Sequence, residues 1–125
     1  MCTRVTDEGL VLEFFDTEEE PLFTDGAEPT NLMREIAFAV REASKLLRNE
    51  IAVEGHVAKA PIVRIEDPVW DLSAERAFHV SDLLTGYGLE SDRVRRVTAY
   101  GDRAPVVDNL MSHRNNRIEI IYLRY

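Results

Sequence analysis

Arg76, within Leu72-Ser73-Ala74-Glu75-Arg76-Ala77, is a side chain well suited to gripping a small anion. A guanidinium can pair a carboxylate through two parallel N–H donors, a geometry that an ammonium cannot offer. The surrounding pattern predicts that Arg76 lies about one turn into a helix, where the N-terminal dipole favours an anion. Spacing alone also fits a plainer role, a surface helix residue pairing with Asp71 or Glu75, and by itself favours it.

Two further blocks carry polar groups at what read as strand ends, Gly55-His56-Val57-Ala58 and Arg114-Asn115-Asn116-Arg117-Ile118-Glu119. Glycine at a strand end permits close approach of another backbone. His56 is suited to hydrogen-bonding neighbouring backbone and holding a loop. Asn115 can bond loop backbone, and Arg117 can pair Glu54 or Glu119 across a strand face.

Catalytic chemistry finds little support. His56, His79 and His113 show no close-set metal spacing, and His79 has no acidic partner four residues on. No serine occupies a nucleophile elbow and no phosphate-binding loop is present; Gly86-Tyr87-Gly88 reads as a helix terminator. The expectation is a non-enzyme without metal or cofactor.

The elements that must position these groups follow from periodicity. Gly9–Phe15 is apolar on both faces and predicts a strand interior to a sheet. An acidic loop runs from Asp16 to Pro21, Leu22 and Phe23 return to the core, and Asp25-Gly26 marks a turn. A helix opens at Glu28-Pro29-Thr30, with the stripe Met33, Ile36, Ala37, Val40, Ala43 and Leu47, and ends near Asn49. Ile51–His56 alternates as a strand. The loop from Val57 to Trp70 contains Pro61 and Pro68, with an apolar middle, Ile62–Ile65, fit for a short extended piece.

A second helix begins near Asp71 or Leu72, with Asp71 or Ser73 accepting first-turn N–H groups. Its stripe is Ala77, Val80, Leu83, Leu84 and Tyr87, and Gly86 or Gly88 ends it. Strands follow at Arg93–Tyr100 and Ile118–Leu123, separated by a loop over Gly101–His113 with room for one helical turn. The order β-α-β-α-β-β predicts an α/β two-layer sandwich, one mixed sheet with both helices on one face. The last strand, reached by a loop alone, is expected to be antiparallel and central. Residues 1–8 are expected to be a disordered or foreign tail, and residues 9–125 one domain.

A chain of 125 residues suffices for one core, and 45% hydrophobic with 30% charged residues is ordinary for a globular domain. The formal net charge of -8 opposes nucleic-acid binding, which needs a basic face. Arg93, Arg95 and Arg96 alternate with valines as a solvated strand face would. No stretch approaches the ~18 apolar residues of a membrane span. Met1-Cys2-Thr3-Arg4 lacks the apolar run of a signal peptide or lipoprotein leader. Cys2, the single cysteine, can form no intrachain disulfide and reads as a tail residue.

In order and spacing, the three polar blocks resemble the peptidoglycan-binding domains of OmpA-like proteins, whose pattern runs GHTD, LSxxRA and NRRVE. The resemblance covers about Leu10 to the end. Pro21-Leu22-Phe23, Gly26-Ala27-Glu28-Pro29 and Val69-Trp70-Asp71-Leu72-Ser73 are similar to the flagellar-motor stator branch of that family. The resemblance implies a periplasmic, dimeric, wall-anchoring domain. It would be cut from a longer protein that is held in the inner membrane by an N-terminal segment and joined there to a stator partner.

It further implies a ligand, the zwitterionic diaminopimelate end of a peptidoglycan stem peptide. Arg76 would take the carboxylate, and Val57, Ala58, Leu72, His56, Asn115 and Arg117 would border it. The family's aspartate, which pairs the ammonium, is replaced by Ala58, followed by Lys59; one arginine of the third block is Asn116. Losing that charge-assisted bond costs on the order of 1.5–3 kcal/mol. Glu66, Asp67 or Asp71 are the nearest substitutes in sequence. Three outcomes stay open: an altered wall clamp, a dimerisation or scaffold domain that has lost wall binding, or recognition of a ligand lacking the ammonium, with Lys59 as second cation.

Overall fold

The computed structural model describes residues 2–17, 19–24, 27–58, 69–104, 106 and 113–124. Seven elements follow in chain order: β1 (Cys2–Val5), β2 (Gly9–Phe15), α1 (Asn31–Ser44), β3 (Ile51–His56), α2 (Val69–Gly86), β4 (Val94–Ala99) and β5 (Arg117–Leu123). The sheet order is β1-β2-β5-β3-β4. As expected, β5 is central, antiparallel to both β2 and β3, and its residues Arg117 to Tyr122 are buried. β3 and β4, joined through α2, run parallel.

Side-chain alternation divides the sheet into two faces. Phe14, Ile51, Val53, Ile118, Ile120 and Tyr122 meet the helices, packing with Met33, Ala37 and Val40 of α1 and Ala77, Val80 and Leu84 of α2. The opposite face carries the small cluster of Val11, Ala52 and Ile121. No helix among the described residues is long and apolar enough to cross a membrane.

Several boundaries differ from the sequence expectations, each for a physical reason. Residues 2–5 are not a tail: β1 pairs antiparallel with β2, and Arg4 reaches Glu13 and Glu119. α1 starts at Asn31 because Thr30, in extended conformation, caps it by accepting from Met33 N. It ends at Ser44, so Leu47 lies outside it and is exposed, as is Ala43. Ser44 takes the inward position, where a polar residue is tolerated because its Oγ bonds Tyr122 Oη at 2.8 Å.

α2 begins at Val69, earlier than expected, which places Arg76 about two turns in rather than one. Ser73 is therefore no cap: it donates to Trp70 O at 3.0 Å. After α2, Gly88 adopts φ +105° and Leu89 N bonds back to Leu84 O at 3.0 Å, the left-handed stop anticipated at Gly86 or Gly88. Arg93 belongs to a 3-10 turn ahead of β4, and His113–Asn115 form a second such turn. The Asp25-Gly26 turn, the Ile62–Ile65 piece, Lys59, Glu66 and Asp67 lie outside the described residues.

Candidate functional site

The site lies at the end of the sheet where β2 and β3 finish and β5 begins. Gly55 brings β3 against α2: a Cβ there would stand 2.2 Å from Ser73 O and 3.1 Å from Ala77 Cβ. Beyond the strand, Val57 N donates to Gly101 O at 2.8 Å, and Gly101 N donates to Ser73 Oγ at 3.0 Å. Ala58 N donates to Asn116 Oδ1 at 2.7 Å. The carbonyl of Asn116 accepts from Asp16 N at 3.0 Å, and Asp16 Oδ1 accepts from Leu22 N at 2.8 Å. One continuous set of bonds thus ties Ala58, through Asn116 and Asp16, to the segment that touches Arg76.

Arg76 is 8% exposed. It donates to Thr24 O at 3.4 Å, and its guanidinium lies 5.0 Å from the centroid of the Phe23 ring. The Phe23 contact is a cation–π arrangement that holds the charge against an apolar surface. Burial and these contacts set Arg76 apart from a solvated helix residue, the role that spacing alone favoured. Leu72 is half-buried, Val57 buried and Ala58 half-buried. Trp70 stands at the rim under the Arg103 guanidinium, 5.3 Å from its ring.

His56 turns the other way. Its ring lies on the helix-free face, stacked on Tyr100 with centroids 4.7 Å apart. Nε2 is 3.4 Å from Glu119 Oε2 and 3.9 Å from Glu54 Oε1, and neither ring nitrogen has a hydrogen-bond partner among the described residues. The expectation that His56 bonds loop backbone is therefore corrected: β3 alternation sends it to the face opposite Gly55. Arg117 shares that face, donating from Nε to Glu119 Oε2 at 2.9 Å and from Nη2 to Ala104 O at 2.6 Å. Asn115 Oδ1 accepts from Val106 N at 2.7 Å, a bond to loop backbone of the kind its sequence position suggests.

Glu54, His56 and Glu119 offer donor atoms within 4.8 Å of one another, the spacing a divalent cation would need. The donor set is already engaged, however. Glu119 is bound by Arg4 and Arg117, and Glu54 by Arg96 at 3.5 Å and Tyr100 Oη at 3.3 Å. A dication would add charge to an array that protein cations already balance, at a large desolvation cost. The cluster is best described as an ionic lattice. Burial pushes the Glu54 carboxyl up, but the nearby His56 ring and Arg96 guanidinium outweigh it and hold the group below the usual carboxylate range. Burial, with the neighbouring Glu54 carboxylate, pushes the Tyr100 phenol up.

Arg4, Glu13, Asn116 and Tyr100 were not identified from sequence as members of these networks. A signal did exist for Glu13, since it repeats the isolated acidic residue within an apolar strand seen at Glu54 and Glu119. Asn116 gave none, because its partner Ala58 contributes only backbone.

Comparison with known proteins gives consistent results. The OmpA family model matches residues 14–119. Motility protein B of Escherichia coli K12 is 30% identical over 128 residues, covering 95% of this chain. The chain spans 40% of that relative's length. Among solved structures, the periplasmic domain of Helicobacter pylori MotB (residues 90–256) superposes with TM-score 0.80 at 24% identity, covering 97% of this chain and 77% of that one. The cell wall anchor of the T6SS from Pseudomonas aeruginosa gives TM-score 0.79 at 23% identity, with 98% and 87% covered. At these identities the structural likeness speaks for the fold.

Proposed function

The chain belongs to the OmpA family, and from that premise we propose that it is a non-catalytic peptidoglycan-anchoring domain. It would work in the periplasm as the outer part of an inner-membrane protein of the flagellar-stator kind, dimeric and joined to a membrane partner through a segment N-terminal to it. The similarity to motility protein B supports this setting.

The observation that carries the proposal is Arg76, held nearly buried between Thr24 and Phe23 at the sheet end that also presents Ala58. A guanidinium so fixed has lost much of its conformational freedom beforehand and can take the carboxylate of a diaminopimelate stem at reduced entropic cost. The missing aspartate at Ala58 alters the clamp: water, or a carboxylate such as that of Asp71 in the first turn of α2, would meet the ammonium. Retention on purified peptidoglycan tests the proposal. Wild type should be retained and Arg76→Ala should lose at least about tenfold in affinity, the equivalent of one charge-assisted bond. Equal retention of the two would overturn it.

A second role, as a dimerisation or scaffold domain without wall binding, draws on Phe38 and Phe78, 50% and 56% exposed on the two helices. It predicts sedimentation as a dimer that Phe38→Ser or Phe78→Ser disperses, with no retention on peptidoglycan.

A further inference from the structure

Resting on the wall-binding proposal, we infer that Arg103, laid on the Trp70 ring, takes a second carboxylate of the same stem-peptide ligand. Trp70 is 37% exposed in the first turn of α2, with the Arg103 guanidinium 5.3 Å from its ring centroid. The ring also packs on Gly101, where a Cβ would stand 3.1 Å from Trp70 Cδ2. Gly101 N donates to Ser73 Oγ at 3.0 Å, and Gly101 O accepts from Val57 N at 2.8 Å. Arg103 N donates to Tyr100 O at 3.1 Å. Ring and cation are thus fixed to the frame that holds Val57 beside Ala58, on the helix that carries Arg76.

The charge of Arg103 is unspent. The residue is exposed, and among the described residues it forms no ion pair, although 23 acidic residues stand against 15 lysines and arginines. A guanidinium over an indole is attracted to the ring but keeps its N–H donors, which point outward in its own plane. Those donors form the fork that matches a carboxylate. The stack settles their orientation beforehand, which lowers the cost of binding.

Trp70 precedes Arg76 by six residues on α2, about 9 Å along the helix axis. An extended chain spans at most about 3.3–3.6 Å per residue, so such a gap takes about three residues' length. A diaminopimelate stem offers further carboxylates at this reach, the α-carboxylate of its γ-linked glutamate and its C-terminal carboxylate. Either one, paired with Arg103 while Arg76 holds the diaminopimelate carboxylate, would fix the direction of the peptide across the sheet end.

The test compares a soluble muropeptide with two derivatives, one amidated at the glutamate α-carboxylate and one at the C-terminus. Binding is read by calorimetric titration and by competition against retention on peptidoglycan. On the wild-type chain at least one amide should bind about three- to tenfold more weakly than the parent, and its identity tells which carboxylate is read. Arg103→Gln should bind parent and that amide alike, with unchanged melting because the residue is exposed. Both amides matching the parent on wild type, or discrimination retained by Arg103→Gln, overturns the inference. With Arg76-dependent retention intact, the wall-binding proposal survives either result. Failure of all three compounds to bind overturns the inference, and overturns wall binding too where retention on peptidoglycan is also absent.

Discussion

Glu54 and Glu119 stand directly opposite one another across β3 and β5, both buried on the face of the sheet that carries no helix. Glu13 faces Glu119 from the other side, so three carboxylates form one row across three strands. Like charges in such pairs are destabilising unless neutralised. Arg4, Arg96, Arg114 and Arg117 supply the neutralisation. The row replaces what would otherwise be an apolar second core, and it ties the edge strand to the sheet centre.

Arg4 is the one residue of β1 that reaches this row, at 2.9 Å from Glu13 and 2.6 Å from Glu119. Arg4→Ala leaves two buried carboxylates each short of a donor. Because the Arg4 side chain is 48% exposed, water recovers part of the loss. The expected destabilisation is about 1–3 kcal/mol, read from the urea midpoint at neutral pH. No shift of the midpoint would show that β1 is held by backbone pairing alone.

The row also gives stability a specific acid limit. The Glu54 carboxyl is held below its ordinary range in the folded state, so the folded protein binds that proton less readily than the unfolded chain. Its contribution is complete above the unfolded value of about 4.3 and disappears as pH falls through the lower folded value. Wild type should therefore lose stability below about pH 4.3 more steeply than Glu54→Gln, measured by thermal melts across that range. Parallel curves for the two proteins would contradict the assignment.

How much of this was legible in the sequence differs by element. The helices and central strand were readable because Met33, Ala37 and Val40, then Ala77, Val80 and Leu84, keep helical period, and because β5 places apolar residues on both faces. β1 was missed since Cys2–Val5 is exposed throughout and carries no burial signal; its place depends on pairing with β2 and on a bond from Arg4 to a residue far along the chain. At the candidate site, Arg76 was singled out by its motif. The direction of His56 was not, although strict alternation from Ile51 and Val53, which face the helices, already assigned it to the other face.

Gly55 is where backbone proximity decides the geometry of the site. A methyl group there would meet Ser73 O at 2.2 Å, and that atom is helix backbone with no side-chain freedom to yield. Gly55→Ala must push α2 away from β3, disturbing the Gly101 bonds to Val57 and Ser73 that hold the loop. Overpacking of this kind costs typically about 1–3 kcal/mol and occasionally more. The expected result is a folded, less stable protein with weakened peptidoglycan retention; unchanged melting would mean the helix moves freely at this contact.

Asn116 separates the loop's anchoring from its chemistry. Its side-chain oxygen accepts from Ala58 N at 2.7 Å, while its backbone oxygen accepts from Asp16 N at 3.0 Å. Asn116→Ala removes the first bond and leaves the second, so the sheet end should stay assembled and global stability should fall by only about 1 kcal/mol. Hydrogen exchange followed residue by residue should show faster exchange at the Ala58 amide. The Val57 amide, bonded to Gly101 O, should keep its protection. Asn116→Asp, which retains an acceptor at the same position, should restore protection at Ala58. Acceleration at both amides in the alanine variant would mean that the loop opens as one unit, with Asn116 holding all of it rather than one bond.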